Sequence, residues 1–422
     1  MNRFLRTASF GVLMAFASKA AADPSREAVV ETYANIAEAV YSDSLAGARA
    51  LQTAVAAFLD APSDETLAAA RTAWLASRVS YQQSETFRFG NAIVDDWEGK
   101  VNAWPLDEGF IDYVDPGYGA ATDANAYAAL NIVANPALTI AGRAIDASAI
   151  TPALIAETLN EADGIETNVA RGYHAIEFLL WGQDLNGTKA GAGNRPFTDY
   201  LQGEACTNGN CDRRAAYLRS AADLLVTDLE YITAAWSPTG PARAAVTTDP
   251  SSGLVAMLTG MGSLSYGELA GERMRLGVML NDPEEEHDCF SDNTHNSHYY
   301  DALGIRNVYL GQYTRTDGTT LEGPSLSALV AATDPALDTE LRTKLEATHA
   351  ALTALKAAAD NGTAYDTMLA RGNAEGEALI MAGVNRLIEQ TRSIERVVSA
   401  LGLDNVAFEG SDSLDNPTAV FQ

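Results

Sequence analysis

An all-α protein is expected from three observations. Alanine-rich stretches with apolar residues three and four apart recur along the chain, capping residues and early prolines mark where several of them begin, and no segment alternates apolar and polar residues between turn signals as a half-buried strand does. The spacing predicts helices over residues 25–60, 64–90, 152–181, 212–236, 254–280, 335–360 and 364–402.

Three of these helices announce their first turn. Ser63-Asp64-Glu65 combines a capping hydroxyl with acidic residues that favour a helix N-terminus, and Thr151-Pro152 and Asp334-Pro335 each set a cap before a proline whose missing N–H costs nothing there. Between the helices, 91–150, 182–211 and 281–325 read as long irregular regions. Loops of that length in a compact protein are functional or disordered, and Trp97, Trp104, Phe290 and Tyr299 argue that the first and third are ordered.

With 422 residues the chain is longer than one hydrophobic core usually serves, so two domains are expected. A faint internal repeat agrees: Ile176-Glu177-Phe178-Leu179-Leu180-Trp181-Gly182-Gln183 aligns with Ile305-Arg306-Asn307-Val308-Tyr309-Leu310-Gly311-Gln312. In that alignment Leu303 and Arg306 stand where the first half has His174 and Glu177.

Arg3 and Arg6, the apolar run from Ala8 to Ala17 and Ala20-Ala21-Ala22 before Asp23 read as a signal peptide over 1–22. That places the mature protein in the periplasm or outside the cell, including the periphery of the outer membrane. No cysteine at the junction supports a lipid anchor, and no later run is apolar enough to span a bilayer. In an oxidising compartment Cys206 and Cys211, separated by Thr-Asn-Gly-Asn, are expected to pair, with Cys289 left as a buried apolar filler. The net charge of −28 repels nucleic acid and anionic membrane and favours cations, although acidity also serves solubility alone.

Chemistry concentrates in four places. In Gly172-Tyr173-His174-Ala175-Ile176-Glu177 an imidazole and a carboxylate sit three residues apart on one helix face, inside an apolar run where an unpartnered charge is costly. A shared metal ion is one way to compensate it, and a capped core histidine is the other. The segment 282–298 gathers His287, His295 and His298 with six carboxylates around Cys289 and Phe290, which suggests that it folds inward. On the predicted 64–90 helix Arg78, Tyr81 and Glu85 follow one another at spacings of three and four and share a face, where an Arg–Glu pair could simply be a helix salt bridge. Downstream, Trp104-Pro105-Leu106-Asp107-Glu108 sets carboxylates in an aromatic context.

Together, Gly172-x-His174-x-x-Glu177, Trp74-x-x-x-Arg78-x-x-Tyr81-x-x-x-Glu85, Trp104-Pro105-Leu106-Asp107 and the string from Glu285 to His295 resemble the imelysin family of exported bacterial proteins, over roughly residues 30 to 400. The last string resembles its iron-regulated and insulin-cleaving-protease-like branch. The resemblance implies two related helical bundles in pseudo-twofold arrangement, 23–205 and 206–422, with the Gly-x-His-x-x-Glu pair near their interface. It implies a metal site of His174 and Glu177 with Glu85 and Asp107, flanked by Arg78, Tyr81, Trp104, His287, Asp292 and His295.

Two activities follow from the family, metallopeptidase and periplasmic iron handling. A catalytic zinc needs three protein ligands, an open position and a base, yet the chain lacks His-Glu-x-x-His, and Phe178 stands where an inverted motif would need its second histidine. Iron asks only for imidazole and carboxylate, with tyrosine tolerated. The expectation is therefore a binding protein for iron, with zinc as the alternative metal, engaged in iron uptake or homeostasis rather than an enzyme. Its ligand would be the ion or a small chelate and its partner an envelope iron-uptake transporter. A haem- or protein-binding module without catalysis is the third reading, and the absence of Cys-x-x-Cys-His removes covalent haem attachment from it.

Overall fold

A computed structural model describes residues 24–119, 121 and 125–421, so the predicted leader over 1–22 lies outside the described residues. The architecture is helical. Among the described residues the only sheets are two antiparallel hairpins, Ala137–Ile140 with Arg143–Asp146 and Gln312–Thr314 with Thr320–Glu322. Among the described residues no helix is long and apolar enough to cross a membrane.

Among the described residues the molecule is framed by helices α1 (Arg26–Asp60), α2 (Asp64–Gln82), α3 (Gly172–Trp181), α4 (Cys211–Ala235), α5 (Pro250–Ser263), α6 (Thr294–Leu310), α7 (Pro335–Asp360), α8 (Tyr365–Leu369) and α9 (Ala374–Ala400). The expected starts are present. Ser63 caps α2 and forms a reciprocal box with Thr66, Asp334 accepts from the Ala336 and Leu337 amides at the head of α7, and Thr151 caps the turn at Pro152. Helix α1 packs on α2, α4 and α5; α7 pairs with α9; and α2 is flanked by α1, α3 and α6. The buried apolar side chains of 23–205 and 206–422 belong to one continuous cluster, running from Val29 to Leu403. Cys206 and Cys211 form the expected disulfide, with Cys211 the first residue of α4.

Three sequence expectations change. The predicted 152–181 helix breaks after Leu159, because Glu161, Asp163 and Gly164 take left-handed backbone conformations, and helix resumes only at Gly172. The predicted 64–90 helix stops at Gln82, so Glu85 leaves the face it was expected to share with Arg78. Within 281–325, expected to be irregular, lies the long helix α6. Its buried side includes His295, Ser297, His298, Asp301 and Asn307, so the apolar period that betrays a helix is missing from it. Beyond α5 the chain continues through Leu264–Arg275 as a widened π-helical stretch, a form often found beside functional sites. It carries Arg273 toward the region where α2, α3 and α6 meet.

Candidate metal centre

The glycine of Gly172-x-His174-x-x-Glu177 is required by the backbone. Its φ is +86°, and a Cβ there would lie 2.5 Å from the Val101 carbonyl oxygen. That close approach lets the Tyr173 amide donate to the Val101 carbonyl at 2.8 Å, pinning the first turn of α3 to the segment that carries Asn102. One turn apart on α3, His174 and Glu177 are 1% and 0% exposed, and the His174 Nδ1 lies 3.0 Å from the Glu177 Oε2.

The 286–293 segment folds onto this face. The Ser291 amide and hydroxyl both donate to the Glu177 Oε1, at 3.0 and 2.6 Å. Phe290 packs against Phe178 with ring centroids 5.4 Å apart. His287 stands edge-on to His174 at 4.8 Å between centroids, backed by Trp104 at 5.9 Å and with its Nε2 3.3 Å from the Asn102 side-chain amide. Asp288 completes the group: His174, His287 and Asp288, all buried, offer ligand atoms that lie within 4.8 Å of one another.

Asp288 is held from several sides. Arg78, on α2, donates to its Oδ1 at 2.7 Å and to the Asn102 Oδ1 at 2.7 Å. The guanidinium lies 4.9 Å from the Tyr173 ring centroid and 5.5 Å from those of Trp74 and Tyr81, an aromatic surround that favours a cation. Asn293 donates to the Asp288 Oδ2 at 2.7 Å, Ser297 donates to the same oxygen, and the Asp288 amide donates to the Thr294 hydroxyl at 3.0 Å.

Electrostatics separates the groups into neutral donors and one anion. Burial, reinforced by Arg78, pushes His174 down to about 3. Burial, with Arg273, His174 and Arg78, pushes His287 well below the usual imidazole range. Both rings are therefore neutral at physiological pH. Burial alone would raise the Asp288 carboxyl, but Arg78, His174 and the Ser297 and Asn293 hydrogen bonds outweigh it and hold that carboxyl below the usual range. Glu177 goes the other way, driven well up by burial and by the Asp288 charge. The His174 Nε2 and the His287 Nδ1 are buried with no hydrogen-bond partner, which is costly for a ring nitrogen unless a ligand takes it. Two neutral imidazoles and one carboxylate form a donor set that suits ferrous iron or zinc.

The other predicted residues fall around this centre at different removes. Arg78 and His287 are in it, and Trp104 lies against it. Tyr81 is buried against the Tyr173 ring at 4.8 Å, its hydroxyl without a partner. Glu85 is paired instead with Arg273, at 2.7 Å, and Arg273 also binds Glu268 at 2.8 Å and Asp301 at 3.1 Å. Asp107 accepts from Thr167 at 2.6 Å, Asn125 at 2.5 Å and Tyr118 at 3.2 Å, clamping the 107–125 loop to 167. His295 lies 3.5 Å from Asp360, and Asp292 groups with Asp184 and Asp366. The Arg78–Glu85 helix pair does not form, since each side chain has a buried partner from another segment. Sequence reasoning missed Asp288, Asn102, Ser291 and Asn293 as site residues. Asp288 stood inside the conspicuous 282–298 cluster, but nothing local sets it apart from its acidic neighbours, and Asn102 carries no signal at all.

Comparison with known proteins agrees with the motif resemblance. The family model described as imelysin matches residues 37–394. Iron-regulated protein A of Synechococcus elongatus is 35% identical over 81 residues, 19% of this chain, and the match spans 20% of that protein's length. Among solved structures, a Parabacteroides distasonis protein described as a candidate iron-regulated protein A precursor superposes with a TM-score of 0.66, covering 90% of this chain and 97% of that one. At 20% sequence identity this likeness is one of fold.

Proposed function

Since the chain belongs to the imelysin family, we propose that it is an exported metal-binding protein that holds iron at His174, His287 and Asp288 and serves iron uptake or homeostasis. The observation that carries the proposal is the convergence of these three buried groups within 4.8 Å, with imidazole nitrogens that no protein group satisfies. A bound cation would fill that vacancy in the hydrogen-bonding pattern and offset the charge of Asp288.

Glu177 acts in this reading as the partner that orients His174. With the imidazole Nδ1 turned to the Glu177 carboxyl at 3.0 Å, the Nε2 lone pair is left for the ion, the usual arrangement behind a ligating histidine. Burial and Asp288 push the Glu177 carboxyl well up, so metal uptake is expected to be accompanied by proton release. His287 also lines a cleft of ≈ 650 Å³ that opens to solvent, bordered by Glu98, Glu268, Glu272 and Glu285. Its two arginines, Arg88 and Arg273, are already paired with carboxylates, so the cleft draws cations rather than anionic chelates. A periplasmic or secreted location and delivery to an envelope transporter accord with the leader-like residues 1–22 and with the iron-regulated relatives.

Purified protein is expected to take up about one iron per chain, measured by elemental analysis after chelation and reloading, with His174→Ala and His287→Ala each losing at least tenfold in affinity. Wild-type protein that takes up neither iron nor zinc would refute the proposal. The metallopeptidase reading has less support: Glu177, the carboxylate best placed to serve as base, is already held by Ser291 and His174, and burial pushes its carboxyl well up. It predicts zinc-dependent cleavage of an unfolded protein that His174→Ala abolishes.

A further inference from the structure

Several of the deeply buried carboxylates of this protein are neutralised by arginine. Asp112 is paired with Arg195 and Arg214, Asp288 with Arg78 and Asp301 with Arg273. Among the described residues no lysine or arginine pairs with Asp184, Asp292, Asp366 or Glu286, although Asp366 and Glu286 are each only 1% exposed. We infer that Asp184, Asp292 and Asp366 form a second cation site, made of oxygens alone and suited to calcium.

Three separate segments bring these groups together: Asp184 follows the end of α3, Asp292 lies in the 286–293 segment, and Asp366 is on α8. Their carboxylate oxygens lie within 4.8 Å of one another. Each has coordinating capacity left over. The Asp366 Oδ2 is buried with no hydrogen-bond partner, while its Oδ1 accepts the Thr367 hydroxyl at 3.3 Å. The Asp292 Oδ1 is likewise buried and unpartnered, as is the Glu286 Oε2 close by. Asp184 accepts the Asn186 amide and side chain on its Oδ1, at 2.8 Å each, and among the described residues no hydrogen bond reaches its Oδ2. Buried carboxylate oxygens that the protein leaves bare are costly, and several in one place are a ligand set waiting for an ion.

The chemistry selects the ion. No imidazole or thiolate belongs to the set, so soft and borderline metals have no advantage, whereas calcium takes six to eight oxygens in a tolerant geometry. Asp184 and Asp292 are only half-buried, so water can supply the positions that three carboxylates do not. Burial and mutual repulsion raise Asp292 to about 7 and Asp366 to about 6, as expected of oxygens that share protons until a cation displaces them. The site also bears on the His174 centre without depending on it. Asp292 stands between Ser291, which holds Glu177, and Asn293, which holds Asp288, so an ion at Asp292 fixes the segment that closes the first centre.

The test is calcium titration of the full chain, read by calorimetry and by the thermal unfolding midpoint. Wild type is expected to bind one calcium ion and unfold at higher temperature with it. Asp366→Asn and Asp292→Asn should lose at least tenfold in calcium affinity while unfolding no earlier than wild type in its absence, because the amide removes repulsion. His174→Ala should keep the full calcium response, which separates this site from the iron centre. Absence of binding at the roughly millimolar calcium that weak protein sites require would overturn the inference. So would an undiminished response in both variants, or variants stabilised in a protein that binds no calcium, which would mark the cluster as proton-sharing only. If neither variant folds, terbium in wild type decides: emission sensitised through Tyr365 and quenched by calcium supports the site, and its absence refutes it.

Discussion

Arg78→Met removes the arginine that pairs with Asp288 and nearly preserves side-chain volume. The pair is separated by 2.7 Å, and its side chains are 1% and 0% exposed, so screening by solvent and salt does little to weaken it. Breaking such a pair from one side costs about 3–5 kcal/mol, because the other charge stays buried. Asp288 retains hydrogen bonds from Asn293 and Ser297, which points to the lower end, near 3 kcal/mol. The sign with pH follows from the carboxyl. In wild type Asp288 is held below the usual range, so its contribution is present at neutral pH and lost only as pH falls through that lowered value. Without Arg78, burial raises it instead, and the variant gains stability as protonation relieves the bare charge. The gap between wild type and Arg78→Met should therefore be widest at pH 7 to 8 and narrow toward pH 5. Urea unfolding of metal-free protein across that range measures it, and Arg78→Met/Asp288→Asn should cost less than the sum of the single changes. A cost below about 1 kcal/mol, or one that does not vary with pH, would refute the reasoning.

Three further outcomes are expected. Glu177→Gln, which keeps a hydrogen-bonding side chain but loses the carboxyl proton, should weaken metal binding about 10- to 100-fold and abolish the proton release measured in weakly buffered titrations. His298→Leu removes a ring with both nitrogens unpartnered and a pKa pushed down to about 3, mainly by burial. Wild type loses stability through this group as pH falls from the unfolded value near 6.5, so the variant's advantage should be about 2 kcal/mol larger at pH 5 than at pH 7.5, by urea unfolding of each. Gly172→Ala forces a side chain onto the Val101 carbonyl at a positive φ; the backbone conformation alone costs about 1–3 kcal/mol, and circular dichroism melting together with lost metal uptake should report it.

The long helices were legible because their information is local. Ser63, Asp334 and the apolar spacing of 335–360 each act within a few residues, and α1, α2 and α7 begin where those signals lie. Helix α6 was invisible for the opposite reason: it turns His298, Asp301 and Asn307 inward, and its justification lies in Arg273, Gln83 and other distant segments. The candidate centre divides in the same way. His174 and Glu177 stand out as charges in an apolar helix, and the 282–298 cluster stands out by composition. That Asp288 rather than its acidic neighbours joins His174 is decided by Arg78, which no short-range pattern could indicate. Glu85 and Asp107 looked equally available, but Arg273 in one case and Thr167 with Asn125 in the other already engage them.

Arg78 and Asp288 are 210 positions apart in the chain, and Glu177 and Ser291 are 114 apart. A growing polypeptide therefore carries His174 and Glu177 long before the strap that encloses them has been synthesised. Contacts so distant in sequence form late, after the helices that bring them together have docked. Until then the early half offers an ion only two adjacent side chains, too few to retain it against chelators or competing metals. On the proposed reading, loading would be deferred to the finished protein, and the compartment where folding ends would decide which metal it meets.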